Sequence, residues 1–262
     1  MKKLAERLPL NTPRQWALRL AFLVGLFLFW ELLCRLRLWP EYIFPPPSSV
    51  AEALLVGFGK GTFWIAIQGS LWRLIEGYLI ALVIGLVLGI LLAQVRWLKE
   101  TFGLLVMGMQ TLPSICWLPL ALLWFGLNQR AILFVVVMGA VFSITQSTED
   151  GIRNTAPVYM QAARNLGARG LRLYASVIFP AALPSIITGM KLGWSFAWRS
   201  LMAGELLYTL PGLGKLLMMG RELNDMSQVM AVIGVIIALG LISDRWLFGV
   251  IERRVRERWG LA

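Results

Sequence analysis

The chain contains no histidine and only two cysteines, Cys34 and Cys116. The first absence removes imidazole metal ligands and the commonest general base. Both cysteines fall in apolar runs, where a thiol behaves as a small hydrophobe rather than half of a disulfide or metal pair. Charge is scarce as well: 15% of the 262 residues are charged, where soluble domains average about 25%. No phosphate-binding G-x-x-x-x-G-K-S/T loop occurs, because Gly59-Lys60 and Gly214-Lys215 lack both the upstream glycine and the following Ser or Thr. No paired acids or nucleophile–base set lies in the apolar runs, which argues against an intramembrane enzyme. Neither catalytic residues nor a metal site is expected.

What the chain has in abundance is hydrocarbon. It is 58% hydrophobic, with a mean hydropathy of +0.71, and it is expected to be an all-α integral membrane protein. Lys and Arg number 25 against 14 acids, a net charge of +11. No nucleic-acid motif accompanies that excess, so no nucleic-acid partner is expected. The surplus reads as membrane orientation and contact with lipid headgroups in the bilayer.

Taken in order, the chain is expected to hold a leader over residues 1–19 and a membrane domain over 20–262. Spans are expected near 20–38, 70–95, 101–126, 131–147, 184–206 and 227–249. The first apolar run is followed by Arg35 and Arg37 and not by a small-residue cleavage site, so it reads as a retained span rather than a signal peptide. The stretch Trp39–Val50 carries three consecutive prolines and is an extended connector. Gly77–Val95 runs nineteen residues without a charge, enough to cross about 30 Å of hydrocarbon. Within it Gly85 and Gly89 form a small-xxx-small pair suited to close helix packing.

Thr101–Gln129 is twenty-nine residues without a charge and contains Pro113 and Pro119. A broken helix is expected around TLPSICWLPL, tolerated where neighbours or a water-lined cavity satisfy the freed backbone groups. The fifth span carries Lys191, Arg199 and Glu205. Each such charge at mid-bilayer costs about 2.5–3.5 kcal/mol, while a Leu returns only about 0.6. That span therefore faces other helices or a polar cavity, or keeps its charges near its ends. Lys191, Arg199, Glu205, Pro113 and Pro119 are the candidate translocation-pathway residues. The alternative for the two cations is pairing with Glu205, Glu76 or lipid phosphate.

Placing the N-terminus inside puts fifteen Lys and Arg in the inner segments. Six remain outside: Arg35, Arg37, Lys60, Arg130, Lys215 and Arg221. By the positive-inside rule both ends are cytoplasmic with six spans between them. The same count places the charged stretch from Thr155 to Pro180 inside the cell. There Thr155 can cap a helix over about 156–166, Pro157 suits its first turn, and Gly167 can end it as a left-handed residue. Val158, Tyr159, Ala162 and Leu166 would share one face. Three turns are too few to be stable alone, so the helix needs its own chain or a partner. It could equally lie on the membrane surface.

The run Gln161-Ala162-Ala163, three residues, Gly167, nine residues, then Val177-Ile178-Phe179-Pro180 resembles the EAA motif of binding-protein-dependent ABC importer permeases. Their pattern is E-A-A, three residues, G, nine residues, I-x-L-P. The spacing matches in full, with Gln161, Val177 and Phe179 replacing the usual Glu, Ile and Leu. FPPPSSV, GSLWRLIEGY, QTLPSICWLPLALLWFGL, LPGLGKLL and IERRVRERWG are similar to the nitrate/sulfonate/taurine/bicarbonate branch of that family.

The resemblance implies the type I ABC importer permease fold in a bacterial inner membrane, paired as a homodimer. It implies a coupling helix, here Val158, Tyr159, Gln161, Ala162, Ala163, Leu166 and Gly167, docked on a separate ATPase subunit that binds ATP and Mg. An extracytoplasmic solute-binding protein would deliver a small anion. The missing phosphate loop agrees that the motor is a separate chain. An ion-coupled secondary carrier is the alternative, although no internal repeat of the kind carriers display is evident.

Overall fold

The computed structural model describes residues 13–36, 39–207 and 210–258. Among the described residues ten helical segments follow one another: α1 (Pro13–Arg35), α2 (Pro47–Gly59), α3 (Thr62–Gln94), α4 (Arg96–Gln110), α5 (Ser114–Phe125), α6 (Gln129–Arg153), α7 (Pro157–Asn165), α8 (Gly170–Glu205), α9 (Leu213–Glu222) and α10 (Met226–Val255). Five of them, α1, α3, α6, α8 and α10, are long and apolar enough to cross a membrane. The bent pair α4–α5 makes a sixth if counted as one span. Residues 1–12 of the expected leader lie outside the described residues, and Pro13 to Arg19 already belong to α1.

The apolar run expected over 70–95 sits in a helix that begins at Thr62, so Arg73 and Glu76 lie within it. Likewise, the run expected from 184 belongs to a helix that starts at Gly170 and passes through Pro180 and Pro184. A wide π-type turn over Tyr174–Ile178 immediately precedes Pro180. Proline lacks the N–H for the helical ladder and crowds the carbonyl four residues back. A widened turn just before it gives that ring room.

α6 is the axis of the fold, packed between α3 and α8. Ile132, Val135, Val136, Ala140 and Ile144 are buried along it. The Gly85/Gly89 spacing serves close approach, as the sequence suggests. A Cβ on Gly85 would come within 2.8 Å of Ile144, and one on Gly89 within 2.6 Å of the Thr145 carbonyl oxygen. A second core joins α2, α3, α9 and α10 through Phe63, Ala66, Leu213 and Val232. A third joins the end of α6 to α7 and the start of α8 through Ile152, Ala163, Leu173, Ile178 and Ala182. α1, by contrast, buries none of its apolar window.

Candidate functional sites

α7 is a bounded nine-residue helix. Pro157 occupies its first turn, where a missing N–H has no intrahelical partner to lose. Thr155 does not cap it. Its Oγ1 donates back to the Gly151 carbonyl at 3.3 Å, closing the end of α6, while Ala156 stands at the cap position without a side-chain bond. A hydroxyl so close to a helix end competes for local carbonyls, and here the preceding helix holds it. At the other end Gly167 adopts φ +84°. The Gly167 N–H donates to the Arg164 carbonyl at 3.0 Å and the Ala168 N–H to the Ala163 carbonyl at 2.9 Å. That pair of bonds is a Schellman motif, which satisfies the last carbonyls and favours glycine.

The two sides of α7 differ. Ala163 is buried against the cluster that unites α6 and α8, with Met160 packed beside it. Val158, Tyr159 and Leu166 are 61%, 58% and 89% exposed, and Gln161 and Ala162 are exposed with them. An apolar face on a short charged segment is therefore left uncovered, while the small Ala163 seats the helix on its own chain.

The three charges in the apolar part of α8 have separate fates. Glu205 is buried with Arg73 of α3, which also donates to the Pro211 carbonyl. Ser70 Oγ donates to Glu205 Oε2 at 2.7 Å and accepts the Leu213 N–H at 2.9 Å. The Gly214 N–H adds a bond to Glu205 Oε2 at 3.0 Å. The Pro-Gly-Leu-Gly loop thus wraps a carboxylate, and a Cβ on Gly214 would lie 2.4 Å from the Glu205 Cβ. Ser70 and Arg73 are the residues that sequence reasoning missed. Their signal was a charge inside GSLWRLIEGY at the foot of an uncharged run, since a buried Glu demands a cation. Lys191 pairs with Asp244 at 3.4 Å and Glu252 at 3.6 Å, tying α8 to α10. Trp194 Nε1 donates to Ser243 Oγ at 3.1 Å between the same helices.

Arg199 is different. Its guanidinium lies over the Phe196 ring, 5.6 Å from the centroid, and no carboxylate of the described residues pairs with it. It opens on a cleft of about 320 Å³ formed where α4 and α5 break at a bend of 106°. Pro113, at the break, lines the same cleft with Gln110, Ser114, Met138, Phe142 and Ser143. Pro119 sits in the first turn of the α-helical part of α5, Leu118–Phe125, is exposed, and does not line it. The structure thus brings Pro113 and Arg199 together and leaves Lys191, Glu205 and Pro119 elsewhere. A larger cleft of about 770 Å³ is walled by Arg96, Lys99, Glu149 and Arg153. Its cations are matched internally: Lys99 to Glu149 at 2.6 Å and Arg96 to Glu100 at 2.9 Å.

A helical bundle with apolar spans, a broken helix beside a cleft and a short helix with one uncovered face fits a transport component of a membrane. The comparisons agree. Residues 81–257 match the family of binding-protein-dependent transport system inner membrane components, and the chain belongs to that family. It is 32% identical over 252 residues to the putative aliphatic sulfonates transport permease SsuC of Escherichia coli, covering 95% of each chain. To the taurine transport system permease TauC of the same organism it is 28% identical, covering 97% of this chain and 93% of that one. To the bicarbonate transport system permease CmpB of Synechococcus elongatus it is 30% identical, covering 73% and 69%. Among solved structures, the MetNI methionine ABC transporter superposes with a TM-score of 0.65 at 19% identity, covering 74% of this chain and 96% of that chain. The protein is a multi-pass inner-membrane ABC importer permease of the sulfonate/taurine/bicarbonate type.

Proposed function

We propose that the chain passes a small anion to the cytoplasm by alternating access, as one subunit of a permease homodimer driven by a separate ATPase pair. In this reading six spans leave both termini cytoplasmic, an extracytoplasmic binding protein delivers the solute, and ATP with Mg binds the ATPase. The observation that carries it is α7, which has one side seated on the fold and an apolar side left for a partner. Burying a side chain of the size of Leu166 stabilises a contact by about 1.5–3 kcal/mol. Val158, Tyr159 and Leu166 together thus suffice for a docking face. Gln161, Ala162 and Ala163 form the body of that helix, and Gly167 ends it.

The transmission path is short. Ala163 packs in the cluster that holds Ile152 of α6 and Leu173, Ile178 and Ala182 of α8. A displacement of α7 by a closing motor is passed to both helices. Those two helices carry Ser143 and Arg199 into the cleft. Two global states biased by ligands at separate sites are what such coupling requires.

The test is solute uptake by vesicles holding the chain together with its ATPase and binding protein. Uptake that needs internal ATP and persists after proton and sodium gradients are collapsed supports the proposal. Uptake driven by either gradient without ATP would establish a secondary carrier instead.

A further inference from the structure

Of the three charges in the apolar part of α8, Arg199 alone faces open space rather than a counter-charge among the described residues. Glu205 is consumed by Arg73, Ser70 and the Gly214 N–H, and Lys191 by Asp244 and Glu252. A cation within an apolar span is expensive and marks a solute pathway by default. Phe196 beneath the guanidinium holds its plane, leaving the forked N–H edge for an oxyanion. Around it Gln110, Thr111, Ser114 and Ser143 supply neutral hydrogen-bonding groups, and Met109, Met138 and Phe142 supply an apolar side to the wall. The volume of about 320 Å³ lies at the small end of the usual range of about 300–1,000 Å³ for ligand pockets. Helix breaks near mid-membrane are where transporters commonly place their solute sites.

We propose that this cleft is a solute-contact site of the permease itself, and that it takes a small organic anion. Arg199 receives the sulfonate or carboxylate headgroup, while Met138, Phe142 and Phe196 cover a short apolar chain. An inorganic anion such as nitrate would gain the charge contact but nothing from the apolar wall. The proposal rests on the permease reading and adds that selection is made inside the membrane domain too.

The test labels a cysteine in the cleft of the full chain in phosphatidylcholine vesicles, on a Cys34→Ala, Cys116→Ala background. Ser114→Cys is nearly isosteric, and Met109→Cys provides a second position on the wall. The probes are 2-sulfonatoethyl methanethiosulfonate, itself a short organic sulfonate, and its trimethylammonium counterpart. Relative to each reagent's rate with a small free thiol, the anionic reagent should be favoured about tenfold over the cationic one, a difference set by one nearby charge. That preference should collapse in Arg199→Gln and return in Arg199→Lys. Butane-1-sulfonate should slow labelling at concentrations where nitrate does not.

A preference that survives Arg199→Gln, or failure of both positions to label, would overturn the site. Equal protection by nitrate would overturn its organic selectivity. Loss of the preference when phosphatidylglycerol is added would assign Arg199 to lipid phosphate and overturn the proposal. ATP-driven uptake is measured on the same vesicles after adding the ATPase and binding protein. No ATP-driven uptake with the labelling pattern intact sinks the permease reading, whereas normal uptake without the pattern sinks the cleft alone.

Discussion

Arg73 and Glu205 lie 132 residues apart in the chain and meet as a buried ion pair between α3 and α8. Two further groups, Ser70 and the Gly214 N–H, complete the shell of the carboxylate. The pair fastens the end of one span to another and to the loop entering α9. Breaking a buried pair from one side costs about 3–5 kcal/mol, because it strands the remaining charge. Replacing both partners by apolar residues is far cheaper. Arg73→Met and Glu205→Leu should each lower the melting temperature of the purified protein sharply, and the double variant should recover most of the loss. Simple additivity of the two losses would show that the residues do not act as a pair.

Close approach of α3 and α6 gives a second expectation. Gly89→Leu places side-chain atoms against the Thr145 carbonyl and Thr148. Overpacking of this kind costs about 1–3 kcal/mol or more. Gly108→Leu, at a glycine where an added Cβ would meet nothing within 4 Å, should leave thermal stability nearly unchanged. Equal melting of the two variants would contradict the packing described.

Lys191 and Arg199 should part company in transport. Lys191 is a half-exposed link between two acids, and such pairs contribute about 1 kcal/mol or less. Lys191→Ala should keep anion uptake within about fivefold of the parent, on that energy scale, while Arg199→Ala should abolish most of it. Undiminished uptake by Arg199→Ala would remove that residue from the pathway.

Gly167 closes α7 in a left-handed conformation with φ +84°. A β-branched residue there costs roughly 1–2 kcal/mol locally. Gly167→Val should therefore leave the melting of the membrane bundle almost intact and weaken association with the ATPase. A collapse of the whole fold would mean that the turn supports more than α7.

Local chemistry was legible in the sequence and pairing at a distance was not. Pro157 and Gly167 bracket α7 because each acts on its own turn. The break between α4 and α5 follows from Pro113 for the same reason, and the spacing of Gly85 and Gly89 announces a close helix contact. Nothing in the order of residues says that Arg73 belongs to Glu205, or Lys191 to Asp244, because those choices are made by the packing of α3, α8 and α10. Thr155 misled for a related reason: its hydroxyl could serve either neighbouring helix, and the geometry at the end of α6 decided. The fold class and the bounds of α7 were thus readable from pattern and motif, whereas the cleft required Arg199 to be seen against Pro113 in space.

The most direct measurement is co-purification of the partner ATPase with this chain and with a Tyr159→Asp, Leu166→Asp variant. That variant alters only the uncovered side of α7 and leaves Ala163 in its seat. The parent should retain the ATPase through purification, and the variant should lose it at least about tenfold while melting at the same temperature, since desolvating two carboxylates costs well over the roughly 1.4 kcal/mol that a factor of ten requires. Retention of the ATPase by both chains would contradict the claim that this face is where the motor docks.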